Sequence, residues 1–178
     1  MRHLKTVGPI PLLWDRWRLG NPFAPRLLLP ELLGATAPAT ELMLDLKGLQ
    51  ADVGRRVLDA LHPHLAARRI TVCSRNWRAL EAFTGNPRVR VIHSVGSARQ
   101  LRALRDRFAG RRLQGVSIHA RLLDPQVVQD LRRLADVVMS WPVQTLGLAR
   151  QLADWGIDGL ISERLDLAAE LDVGVAAG

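Results

Sequence analysis

Apolar runs and helical patterns alternate along most of this chain. Strand-like runs rich in Leu, Val and Ile recur at 42–46, 70–74, 89–93, 115–118, 137–141 and 157–161. Between them, apolar positions fall at helical spacing over 50–66, 76–84, 97–108, 124–134 and 145–155. Short β-rich runs alternating with longer helices predict βαβ units and hence a parallel sheet. Local chemistry agrees with these boundaries. Ser74-Arg75-Asn76 and the stretch from Ser94 to Ser97 offer helix caps, and Asp124-Pro125 is a cap followed by a first-turn proline. Gly110 and Gly156 stand where helices should end.

The first 40 residues have a different rhythm. Pro9, Pro11, Pro22, Pro25, Pro30 and Pro38 punctuate them, with Trp14 and Trp17 between. Prolines at this density block a sheet or a long helix, which predicts a loop-rich arm over 1–40, with a short helix near Pro30 to Leu33, ahead of an α/β domain over 41–178. Six parallel strands suit either an open doubly wound sheet or most of an eight-stranded barrel, and periodicity alone leaves both open. No Gly-x-Gly-x-x-Gly run follows a strand and no Walker A run is present, which disfavours the nucleotide-binding open sheets. A barrel needs two further strands to close, or else leaves edges exposed.

Composition narrows the setting. With 178 residues, 48% of them hydrophobic, the chain can bury one substantial core. Its 25 basic against 17 acidic residues give a charge of +8, which favours anionic partners. The arginines are spread along helical segments, at Arg55, Arg56, Arg102, Arg105, Arg107, Arg132 and Arg133, as on a solvated outer face. No basic block alternates with aromatics, so no nucleic-acid partner is expected. Cys73, the only cysteine, lies in an apolar run and reads as a buried structural thiol in a reducing compartment. The apolar stretch after Met1-Arg2-His3-Leu4-Lys5 is broken by Gly8 to Pro11, so no secretory signal is read, and no run is long enough to cross a membrane. A cytoplasmic location is the expectation.

Chemistry in parallel α/β folds gathers at the carboxyl ends of the strands. Here that rule collects Asp45 and Lys47, Ser74 and Arg75, His93 and Ser94, His119 and Arg121, Trp141, and Ser162 with Glu163. Period-two geometry sends Asp45 and Lys47 to the same side of their strand, where a carboxylate can hold a hard metal ion and an ammonium can meet an anionic oxygen. His93 and His119 are available for proton transfer, and Trp141 offers an aromatic wall. Each has a plainer reading as well: a strand-end salt bridge, polar caps over the barrel mouth, a core tryptophan. His62 and His64 read as favourable charges at a helix C-terminus and Trp155 as helix packing. Asp45 lacks an adjacent second carboxylate, whereas Mg²⁺ and Ca²⁺ prefer several oxygen ligands.

Taken in order, these positions resemble the glycerophosphodiester phosphodiesterase family over roughly residues 41–166. Leu42-Met43-Leu44-Asp45-Leu46-Lys47 resembles the family's strand ending in Glu-x-Lys, with Asp for Glu. Gly115-Val116-Ser117-Ile118-His119, then Leu122-Leu123-Asp124-Pro125, then Val138-Met139-Ser140-Trp141-Pro142-Val143, then the segment from Gly156-Ile157-Asp158-Gly159 to Asp166-Leu167, is similar to its last three barrel strands. Ile70-Thr71-Val72-Cys73-Ser74 resembles its Ser-Phe strand, with Arg75 where Phe is usual.

The resemblance implies an α/β fold of TIM type, here an incomplete (β/α) barrel of about six strands behind the proline-rich arm. It implies metal-assisted hydrolysis of a small-molecule glycerophosphodiester to an alcohol and glycerol 3-phosphate, with a divalent cofactor, Mg²⁺ or Ca²⁺. On that reading Asp45 is a metal ligand, Lys47 a phosphate contact, Trp141 a pocket wall and His3 the general acid, while His119, from its place at a strand end, is expected as a substrate contact. Leu4 stands where the family has Asp after that histidine. The family's opening His-Arg-Gly strand and its Glu-x-Asp strand have no counterpart here, which removes a histidine and two metal carboxylates. The expectation is therefore a chain that represents the carboxyl-terminal three quarters of a barrel, impaired in hydrolysis and able to self-associate through exposed strand edges. Two alternatives stand beside it: a non-catalytic barrel that binds phosphate or a phosphodiester, and a metal-independent (β/α) enzyme such as an isomerase, with Asp45 as base and His119 as electrophile.

Overall fold

The computed structural model describes residues 28–48, 52–164, 166–167 and 169–171. Contacts divide the chain into two units, 1–36 and 37–178. In the first, the described residues form helix α1 (Leu29–Ala35), with Pro30 in its first turn. The Glu31 carboxylate accepts the Leu28 N–H at 2.8 Å, supplying an acceptor at the helix start.

The second unit is a parallel sheet with its helices. Strands β1 (Leu42–Asp45), β2 (Ile70–Ser74), β3 (Val89–Val95), β4 (Val116–His119), β5 (Val138–Trp141) and β6 (Gly159–Leu160) lie side by side in chain order. Helices α2 (Val53–Leu61), α3 (Ala98–Arg107), α4 (Pro125–Leu134) and α5 (Leu146–Asp154) form four of the crossovers, and a 3-10 helix over Trp77–Phe83 joins β2 to β3. A doubly wound sheet would reverse its strand order partway; this one never does. The strands therefore curl in a single sense into an open, incomplete barrel. Ser97, Asp124 and Thr145 cap α3, α4 and α5 by accepting the N–H groups of Gln100, Val127 and Leu148.

Partners in a parallel ladder point to the same face, so register sorts the side chains. One face carries Val72, Val95, Val116, Ile118 and Val138, all fully buried. Of these, the side chains of β3, β4 and β5 pack with Leu104 of α3, Val128 and Leu131 of α4, and Ala149 and Leu152 of α5. The concave face carries Asp45, Cys73, Ile92, Ser94, Ser117, His119, Met139 and Trp141. Two glycines make room on it. A Cβ at Gly115 would lie 2.2 Å from the Ile92 Cδ1, and one at Gly159 would lie 2.9 Å from the Met139 Cε.

Three local departures from the sequence reading have physical causes. The segment 77–83 winds as a 3-10 helix, and Asn76, at its N-cap position, makes no side-chain cap bond because it gives its side-chain amide to the Gly48 carbonyl, at 3.2 Å. Strand β6 is short because the Asp158 side chain intervenes before it. That carboxylate accepts the Val138 N–H at 2.8 Å through one oxygen and the Arg132 guanidinium at 2.8 Å through the other. Strand β3 runs on to Val95, so His93 is a mid-strand residue on the helix-facing side, where it cannot cap the barrel mouth. It packs edge-on against Phe108, 4.7 Å between ring centres, and against Trp77, 5.9 Å. Burial pushes its imidazole down to about 4, with the Arg107 charge adding to the effect.

Candidate functional site

The carboxyl end of β1 delivers the acid and base as the alternation requires. The Leu46 N–H donates to the Cys73 carbonyl at 2.8 Å, so the extended course continues past Asp45 and keeps Lys47 on the same side. The Lys47 ammonium folds back and forms an ion pair with the Asp45 carboxylate. Across the register, Cys73 lies beside Asp45, and its thiol is pushed up to about 12, first by burial and then by that carboxylate's charge. Such a thiol is inert as a nucleophile near neutral pH.

The loops that leave the strands are tied together by side chains. The Ser74 hydroxyl donates to the Leu46 carbonyl at 2.8 Å and accepts the Asn76 N–H at 3.0 Å, so this serine is structural. Beyond β3, the Gln100 side chain accepts the Gly96 N–H at 2.9 Å and donates to the Arg75 carbonyl at 3.4 Å. The Arg121 guanidinium donates to the Gly96 carbonyl at 3.0 Å. Gln100 carries no motif signal in the sequence, being one polar residue in the first turn of a helix.

His119 and Trp141 are register partners on the concave face, with ring centres 4.9 Å apart. The Arg121 N–H donates to the His119 Nδ1 at 3.2 Å, which assigns the proton of the neutral imidazole to Nε2. The Trp141 indole N–H is buried and finds no acceptor among the described residues. At the last strand, the Ser162 hydroxyl accepts the Arg164 N–H at 3.0 Å, and Arg164 pairs with Asp166. That ion pair holds the Asp166 carboxyl below its ordinary range.

Of the residues expected at the site, Asp45, Lys47, His119 and Trp141 therefore share one face of one sheet. His3 lies outside the described residues. The divalent metal that the resemblance implies does not fit the donors described. Among the described residues no group of three or more His, Cys, Asp or Glu side chains could hold an ion. Asp45 contributes a single carboxylate, already engaged by the Lys47 ammonium, whereas Mg²⁺ and Ca²⁺ take six or more oxygens.

No protein-family model matches the chain, and no curated protein sequence matches it. Solved structures do. A protein of Silicibacter pomeroyi assigned as a glycerophosphoryl diester phosphodiesterase superposes with a TM-score of 0.68 at 19% identity, over 83% of this chain and 56% of that one. The glycerophosphodiester phosphodiesterase of Thermotoga maritima gives 0.65 at 17% identity, over 80% and 62%. An Oleispira antarctica phosphodiesterase, solved with its product sn-glycerol-3-phosphate, gives 0.60 at 23% identity, over 74% and 55%. The chain thus has the fold of these phosphodiesterase structures and spans 55–62% of their length.

Proposed function

We propose that this chain binds a phosphodiester or phosphate on the concave face of its open barrel without hydrolysing it. The observation that carries the reading is the Asp45–Lys47 ion pair in a setting where the described donors do not make a metal site. Charge neutralisation of Asp45 by a side chain leaves no ligand set among the described residues for the Lewis acid that phosphodiester cleavage on this fold is expected to use. Recognition needs less. The Lys47 ammonium, the His119 imidazole and the Trp141 indole N–H are donors that a ligand oxygen can meet, and the Trp141 ring supplies an apolar wall. The metal-assisted hydrolase reading, with Mg²⁺ or Ca²⁺ on Asp45 and His3 as acid, needs carboxylates beyond those described. The isomerase reading asks Asp45 to act as a free base, against its ion pair with Lys47.

Calorimetric titration of the purified chain with glycerophosphocholine, alongside an assay for released glycerol 3-phosphate with and without Mg²⁺ or Ca²⁺, tests the reading. Saturable heat without product is expected. Metal-dependent release of glycerol 3-phosphate would overturn it in favour of the hydrolase, and no heat in any condition would overturn it outright.

A further inference from the structure

At the end of the sheet opposite the candidate site, where the chain enters its strands, lies a cleft of about 930 Å³. Ile70 and Val89, buried at the first positions of β2 and β3, form part of its floor. Its walls carry Arg68, Arg69, Arg88 and Arg90 against Glu41 and Asp136. Both carboxylates are already engaged. Glu41 lies 3.9 Å from the Arg90 guanidinium and accepts the Thr71 hydroxyl at 3.5 Å, and Asp136 pairs with Arg112. Arg68 is buried in the wall, where it donates to the Thr40 carbonyl at 3.4 Å. Arg69 and Arg88 are exposed, and neither has a carboxylate partner among the described residues. Register brings these two arginines side by side. They immediately precede Ile70 and Val89, which are partners in the β2–β3 ladder, and neighbouring strands lie about 4.8 Å apart. Their backbones are pinned as well: the Arg69 carbonyl accepts the Leu42 N–H at 3.3 Å, and the Arg88 N–H donates to the Asn86 side chain at 2.9 Å.

We infer that this cleft is a second anion site, in which Arg69 and Arg88 clamp a multiply charged phosphate carried by a phosphomonoester or a diphosphate ester. The inference is independent of what the concave face binds at the other end of the strands. Each guanidinium presents parallel N–H donors that match a pair of phosphate oxygens and keeps its charge at every accessible pH. Glu41 is balanced by Arg90 and Asp136 by Arg112, which leaves Arg69 and Arg88 as the surplus charge of the wall. Two like charges on adjacent strands repel each other in the free chain, and an anion seated between them relieves that repulsion. A cleft of this volume is the size that takes a small organic molecule, with room for more than the phosphate itself.

Calorimetric titration of the full chain in EDTA, with inorganic pyrophosphate and with glucose 6-phosphate as probes, tests the inference. Saturable binding of at least one probe is expected, and the tighter of the two distinguishes a diphosphate from a monoester ligand. Arg69→Ala and Arg88→Ala should each weaken binding by about 10-fold, the loss of one charged hydrogen-bonding partner. Both side chains are exposed, so the variants should fold as the parent does. A double variant, Arg102→Ala with Arg150→Ala, removes two exposed charges from α3 and α5 and should leave affinity unchanged. Excess glycerophosphocholine, the probe for the concave face, should not displace either anion. Absence of saturable binding for both probes overturns the inference, as does wild-type affinity in Arg69→Ala and Arg88→Ala. An equal loss in the double variant assigns the binding to net charge alone and overturns it too. Displacement by glycerophosphocholine places the anion on the concave face and overturns the second site while leaving phosphate recognition there intact.

Discussion

Asp158 offers a sharp test of how the last strands are held. Its carboxylate spans three elements, accepting the Val138 N–H at the start of β5 and the Arg132 guanidinium from α4, while its own N–H donates to the Val138 carbonyl at 2.9 Å. Asp158→Ala keeps the backbone bond and removes both side-chain interactions. The two losses differ in size. Leaving the part-buried Val138 N–H without an acceptor costs about 1–3 kcal/mol. The ion pair joins side chains that are 49% and 34% exposed, and at that exposure contributes about 0–1 kcal/mol. The hydrogen bond therefore outweighs it, and Asp158→Ala should lose about 2–3 kcal/mol in urea unfolding. At roughly 2–4 °C per kcal/mol for a chain of this size, the melting temperature should fall by about 4–12 °C. Asp158→Asn keeps a carbonyl acceptor and should recover most of the loss, whereas Arg132→Ala should cost less than Asp158→Ala. If Asp158→Asn is as damaging as Asp158→Ala, and Arg132→Ala matches both, the ion pair contributes more than the hydrogen bond and the reasoning fails.

Other consequences follow from single positions. A Cβ on Gly54 would lie 2.0 Å from the Ala79 backbone oxygen, so Gly54→Ala should destabilise the chain by about 2–3 kcal/mol despite a better helix propensity. Gly147→Ala, in α5 with nothing near its Cβ position, should stabilise by about 0.5–1 kcal/mol; denaturant titration of the two variants should give opposite signs. His93 has its folded value lowered to about 4 from 6.5, so the unfolded chain takes up the proton first as the pH falls. The stability it contributes is present above about pH 6.5 and declines toward pH 4, by at most about 3 kcal/mol. His93→Phe should flatten that slope in melts across this range, and an unchanged slope would assign it elsewhere. Among the described residues strands β1 and β6 stand at the sheet edges, so we expect a mass that rises with concentration in light scattering; a constant monomer mass would refute association through those edges.

The alternation of apolar runs made the sheet legible because each strand repeats one short chemistry. The Leu42 to Asp45 and Ile70 to Ser74 runs begin and end where read, within a residue. Periodicity left the choice between an open sheet and a barrel undecided, since strand order is a property of long-range pairing that a local pattern does not encode; the family resemblance pointed to the incomplete barrel, and the unbroken strand order bears it out. His93 was misplaced for a related reason. Ser94 looks like a loop residue, yet its side chain lies on the concave face and its carbonyl accepts the Trp77 indole N–H at 3.0 Å, so the strand continues through it. The role of Asp158 escaped too, because a loop carboxylate shows its backbone partner only once β5 and β6 are side by side.

The acid-base pair on β1 carries both the family likeness and the departure from it. Residues two apart on one face are separated by about 6–7 Å along the strand. A lysine side chain is long enough to span that gap, and here Lys47 does. The spacing that makes Asp45 and Lys47 conspicuous as a metal ligand and a phosphate contact therefore also lets them satisfy one another. Which outcome prevails depends on whether further carboxylates surround Asp45 and draw a metal in. Around this pair the neighbouring strand presents Cys73, whose thiol stays protonated, and the following loops present arginine. With a protonated thiol beside it and no second carboxylate among the described donors around it, Asp45 is paired by Lys47. On the proposed reading, a phosphate on this face would meet side chains of the chain itself.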